Sequence, residues 1–254
     1  MESLSDRLDA ECDAAKRHLM IERELCPPEP QLLDTCALQG LDWVDRQLEA
    51  LGSVHCDEAA RNALMAQRGE AMADDLIALG CLYKEFEGRD GYPWLVCNVS
   101  IEESEGATGI KGSRLREIIS FIRGHQECID ACSFPSLAGG LLWSDLKSSR
   151  VSPLILKALG VQSPEDIGGA TGPLNFLPDD GDRLIAAQAL VANVPVILTT
   201  DRKTFWNYRA RLRPLGVAVM RPSELLHLYE SYWDACDAES ERRRREAGPR
   251  ASPT

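Results

Sequence analysis

Four short apolar runs, each set off from the next by helical patterning, constrain this chain more than any other feature. They lie at 31–36, 92–99, 194–198 and 216–220, and the first and third end on Asp34-Thr35 and Thr199-Thr200-Asp201. Strands that alternate with helices have no room for hairpins, so they pair in parallel through helical crossovers. The expectation is an α/β fold, three layers deep, with a mainly parallel sheet of four to five strands. In such sheets the ligand crevice opens at the carboxyl ends of the strands, where Asp34 and Asp201 fall. Asp34 also suits a plain capping role for the helix that starts near Ala37.

The stretch 174–213 concentrates the chemistry. Asp179, Asp180 and Asp182 open an apolar helix expected over 182–191, and the third strand follows directly. Beyond it come Arg202, Lys203, Arg209, Arg211 and Arg213, interleaved with Phe205, Trp206 and Tyr208 and with no acid among them. Cations hold phosphates and aromatic rings stack on unpaired bases, so the strip reads as an RNA track. It reads equally as a solvated basic helix whose Phe205 and Trp206 pack inward. After the second strand, Glu102, Glu103 and Glu105 open a further helix; the macrodipole favours acids there in any case. Glu105 is the first choice to face the crevice and Glu103 the second.

The flanks divide the chain as follows. Residues 1–30 form a helical extension, periodic over 4–25, and a proline-rich linker; the helix serves as a packing appendage or a homodimer or partner helix. Residues 31–235 form the main domain, with helices expected over 37–51, 57–85 and 109–132 and a loose insertion at about 134–173 that holds a helix near 153–159. Residues 236–254 read as a charged tail that frays into disorder.

Composition excludes several classes. At 254 residues and 44% hydrophobic content the chain can fill one large core. No stretch nears the roughly 20 apolar residues that span a bilayer. The opening MESLSDRLDAECD is acidic where an export signal is basic, so a cytoplasmic protein is expected. Nine scattered cysteines and four histidines form no metal-ligand spacing, which disfavours zinc and a disulfide framework and suits small buried thiols. The net charge of −12 disfavours broad adhesion to nucleic acid but leaves room for a local basic track.

In order along the chain, LLDT at 32–35, an acidic helix start after the second strand, DRLIAAQAL at 182–190, VILTTDR at 196–202 and GVAVMRPSELL at 216–226 resemble the PIN domain family. These are metal-dependent ribonucleases, including toxins of toxin–antitoxin pairs. The resemblance is close over 176–226, short at 32–35 and loose over 37–172. It implies catalytic Asp34, Glu105, Asp182 and Asp201, and Mg²⁺ or Mn²⁺ on Asp34, Asp182, Asp201 and Glu103. Thr199, Thr35 and Asp180 would support them. Single-stranded or looped RNA would lie along Arg202, Lys203, Arg209 and Arg211, and an antitoxin-like protein partner is implied. Two departures stand out: Thr200 occupies a position the family usually gives to Asn, and the chain is longer than the minimal toxins. The alternatives are a non-catalytic PIN-like module that binds RNA or protein, and a haloacid-dehalogenase-type phosphatase. For the latter, Cys36 stands where a second Asp is required.

Overall fold

The computed structural model describes residues 4–51, 58–87, 93–105, 109–132 and 153–246. The four apolar runs form four strands: β1 Gln31–Leu33, β2 Trp94–Leu95, β3 Val196–Leu198 and β4 Ala218–Met220. Each is shorter than its apolar run, because the residues on either side turn into or out of helices. All pair in parallel, in the order β2-β1-β3-β4. The helices are α1 Leu4–Leu25, α2 Thr35–Leu51, α3 Glu58–Arg68, α4 Glu70–Glu87, α5 Asn98–Glu105 and α6 Gly109–Cys132. They continue with α7 Pro153–Leu159, α8 Glu165–Gly168, α9 Asp180–Val191, α10 Phe205–Leu212 and α11 Pro222–Glu246.

The order places the site. From β1 the chain moves to one side to build β2, then crosses back over β1 to build β3 and β4. The direction of winding reverses between β1 and β3, and a crevice opens at the carboxyl ends of strands at such a point. The register sets Leu33 beside Leu198, so the residues that follow, Asp34 and Thr199, emerge together. Leu32, Ile197 and Val219 pack into one core with Ile185, Leu190, Phe205 and Leu212 of α9 and α10. A smaller cluster joins Val44 of α2 to Leu64 of α3 and to Ala73 and Leu76 of α4.

Two expectations change. The single helix expected over 57–85 is broken at Gly69, whose φ of +80° suits a residue without a Cβ, and α3 and α4 pack against each other across that break. The segment expected to fray after 236 is helical to Glu246. There, i,i+4 pairs Arg242–Glu246, Arg243–Glu239 and Arg245–Glu241 line the helix. The insertion is partly helical, through α7 and α8; its portion at 134–152 lies outside the described residues.

The chain separates into two compact units, residues 1–27 with 224–254 and residues 28–223. In the first, Arg17 of α1 binds Glu239 at 3.0 Å and Glu246 at 3.1 Å, and Arg243 donates to the Ala14 carbonyl. The Tyr232 hydroxyl donates to Glu22. The second unit carries the whole sheet. No described helix is long and apolar enough to cross a membrane. Of the described thiols, Cys97 is buried, Cys81 and Cys236 are half-buried, and Cys12, Cys26 and Cys36 are exposed, so the expected burial holds for a minority.

Candidate active site

Asp34 follows the carboxyl end of β1 and is 2% exposed. It is fixed from two sides. Its carboxylate accepts from the Ala37 N–H at 2.6 Å, which caps α2, and from the Thr199 hydroxyl on the neighbouring strand end. The capping and crevice-facing readings of Asp34 are therefore compatible. The Thr199 hydroxyl in turn accepts from the Asp201 N–H at 2.9 Å, so one side chain ties together two acids that stand 167 positions apart in the chain.

Asp201 starts a tight local turn. Its carboxylate accepts from the Lys203 N–H at 2.9 Å, the Thr204 N–H at 2.6 Å and the Thr204 hydroxyl. Partial burial opposes ionisation, but these donors outweigh it and hold Asp201 below its ordinary range. Asp182 stands in the first turn of α9, with Asp179 as the cap that accepts its N–H at 3.1 Å. The Thr204 hydroxyl, which donates to Asp201, lies near enough to Asp182 to favour its ionised form as well.

Glu103 of α5 accepts from the Thr35 hydroxyl. It also reaches the start of α9 at Gly181, where a Cβ would collide with its carboxylate and stand 3.1 Å from an Asp179 oxygen. Any side chain at 181 would push the Glu103 carboxylate from this position.

The four acids act on one another. Burial, together with the fields of Asp182 and Asp201, pushes Asp34 up to about 7. Burial, with Asp179, Asp201 and Glu103, pushes Asp182 up to about 6. Although Cys36 is exposed as a residue, partial enclosure of its thiol and the fields of Asp34, Asp201, Asp182 and Glu103 push it up to about 12, which favours the protonated thiol.

The other expected positions divide. Glu105 ends α5, and its side chain lies outside the described residues. Asp180 is 85% exposed and pairs with Arg183. Arg202 and Lys203 line a cavity beside Asp201. Arg209 instead stacks on Trp206, 3.9 Å from the ring centroid, and Arg211 on Phe176 at 4.1 Å. Phe205 is fully buried in the core and Trp206 packs against it, as the solvated-helix reading expects.

Three residues escaped the sequence reading. Thr204 had a signal, since a hydroxyl three residues after Asp is a common turn pattern. Gly181 had none, because the collision comes from a distant helix. Asp75, fully buried on α4, bonds Arg221 at 2.8 Å, Arg202 at 3.2 Å and the Ser223 hydroxyl at 2.6 Å, and the sequence gives no hint of these partners.

The donor set of the crevice is all carboxylate and hydroxyl oxygen, which suits a hard divalent cation such as Mg²⁺ or Mn²⁺. Among the described residues, no three acidic, histidine or cysteine side chains are already gathered at metal-ligand spacing. A cation would therefore draw these side chains inward. Compared with protein-family models, curated proteins and solved structures, the chain finds no match.

Proposed function

We propose that the chain is a PIN-like, Mg²⁺- or Mn²⁺-dependent endoribonuclease. The observation that carries this reading is Asp34, buried at the switch point under the fields of Asp182 and Asp201. Like charges at such range raise each other's proton affinity, and a divalent cation removes that cost. The strand order β2-β1-β3-β4 supports a three-layer arrangement. With right-handed crossovers, opposite directions of travel put α2–α4 on one face and α9–α10 on the other.

Asp34, Asp201, Asp182 and Glu103 would hold the cation. When bound, it would neutralise charge on the phosphoryl and leaving oxygens. Asp201, kept ionised by its own turn, is a standing negative charge. Attack of a water on phosphorus would break the P–O bond to the leaving oxygen, and a carboxylate of this set would take the water's proton. Thr199 and Thr204 hold Asp34 and Asp201 in place throughout.

A second reading has its own observation. Asp34, Asp201 and Glu103 each already accept hydrogen bonds from the protein, so they could serve as structural caps in a non-catalytic RNA- or protein-binding module. Cleavage of mixed single-stranded RNA with Mn²⁺ or Mg²⁺ separates the two. Asp34→Asn and Asp201→Asn are each expected to lower the rate by about 10³-fold, the scale of losing a charged group that acts at the transition state. Turnover that survives both substitutions would sink the nuclease reading.

A further inference from the structure

A cavity of about 710 Å³ opens beside Asp201, between the outer face of α2, the α3–α4 junction and the loop after β3. Its lining inverts the charge of the molecule. In a chain of net charge −12 it gathers Arg46, Arg68, Arg202 and Lys203 around a single acid, Asp201. Two of the cations are anchored from below by buried carboxylates: Arg46 on Asp42 at 2.8 Å, and Arg202 on Asp75 at 3.2 Å. A guanidinium carries five donors, so one carboxylate contact leaves others for a ligand. Arg68 and Lys203 have no acidic partner among the described residues. Arg68 lies over the Trp43 ring, 5.3 Å from its centroid, and Trp43 forms part of the cavity wall.

From this arrangement we infer that the cavity takes one nucleotide of a single strand, the unit next to the phosphate presented to the acids. Its size falls within the roughly 300–1,000 Å³ of pockets that enclose small organic ligands. Arg68 and Lys203 would meet the phosphates, and Trp43 would offer a ring to the base. A base is free to reach that ring only when unpaired, so duplex RNA is excluded. The inference rests on the nuclease reading for its orientation, since the acids define where the strand is cut. It extends that reading by naming a substrate subsite outside the strip of α10.

The test is fluorescence anisotropy of a short labelled single-stranded oligoribonucleotide, with divalent cations chelated so that capture is read apart from cleavage. Arg68→Glu and Lys203→Glu, both at exposed positions, are each expected to weaken capture about tenfold and to flatten its salt dependence. Trp43→Ala is expected to lose about tenfold and Trp43→Phe much less; the phenylalanine variant preserves packing against the Val44–Leu64 cluster. The same strand in duplex form should bind at least tenfold more weakly. Capture unchanged in both charge reversals, or equal for duplex and single strand, would overturn the inference. So would a free mononucleotide that competes as strongly as the strand, since the cavity would then belong to a small molecule. Cleavage with Mn²⁺ but no effect of the charge reversals removes the cavity and spares the acid site. Capture that responds to them in a chain that never cleaves does the reverse.

Discussion

Asp34 and Asp75 are both aspartates buried to within 2% of full enclosure, in the same unit of the same chain, and they are treated in opposite ways. Asp75 is compensated in full. Two guanidiniums and a hydroxyl surround it, and through Arg202 it ties α4 to the loop after β3. Asp34 receives one N–H and one hydroxyl, and the charges nearest to it are other acids. A buried charge without a counter-ion is expensive; among the described residues none pairs with Asp34, and its carboxyl holds its proton more tightly instead. The contrast separates a carboxylate that the protein pairs with cations from one that, on the proposed function, a divalent cation would compensate.

The same substitution at the two sites should therefore have opposite signs. Asp75→Asn leaves two arginines without their counter-charge. The usual cost of breaking a buried pair is 3–5 kcal/mol. Because the two guanidiniums are partly exposed, about 2–4 kcal/mol is expected here, read by urea denaturation. If Asp75→Asn were neutral, the comparison would fail at its structural end.

Asp34→Asn should stabilise the protein, in a pH-dependent way. Asp34 holds its proton up to about 7 in the folded chain against an ordinary 3.8, so the folded state binds that proton more tightly. Its contribution favours folding fully below about pH 4 and is lost as the pH rises through 7. The variant should gain on the order of 1–3 kcal/mol over the parent above pH 8 and nothing below pH 4. A thermal-melt series across that window reads the difference, and a variant less stable at high pH would contradict it.

Divalent cation should act on the parent alone. Excess Mn²⁺ is expected to raise the parent's Tm at pH 7.5 by a few degrees, the size of roughly 1–2 kcal/mol of linkage. The increment should shrink towards pH 5.5 as Asp34 and Asp182 take up protons, and Asp34→Asn should lose most of it. An equal increment in parent and variant would detach the cation from this cluster.

The smallest effect is expected at Gly181. Gly181→Ala should leave stability within about 1 kcal/mol, since helix propensity favours alanine while the clash with Glu103 opposes it. Displacement of Glu103 should nevertheless lower cleavage about tenfold. Unchanged cleavage would leave Glu103 a structural partner of Thr35.

The sequence by itself determined the coarse α/β class and which acids follow the strands. Apolar runs separated by helical periodicity pair mainly in parallel, and acids at their carboxyl ends then fall on one edge of the sheet. Asp34, Thr199 and Asp201 were legible for that reason, and so was Asp182 at a helix start. What sequence could not supply was the environment of each charge. Arg202 looks like part of a free basic strip until α4 brings Asp75 beneath it. Trp43 and Arg68 look like ordinary helix-surface residues until α2 and the α3–α4 junction enclose a cavity with them. Periodicity reports which face of an element is apolar, because burial is read along the chain. Compensation of charge is decided across the chain, by neighbours tens or hundreds of residues away, and only the tertiary structure chooses them.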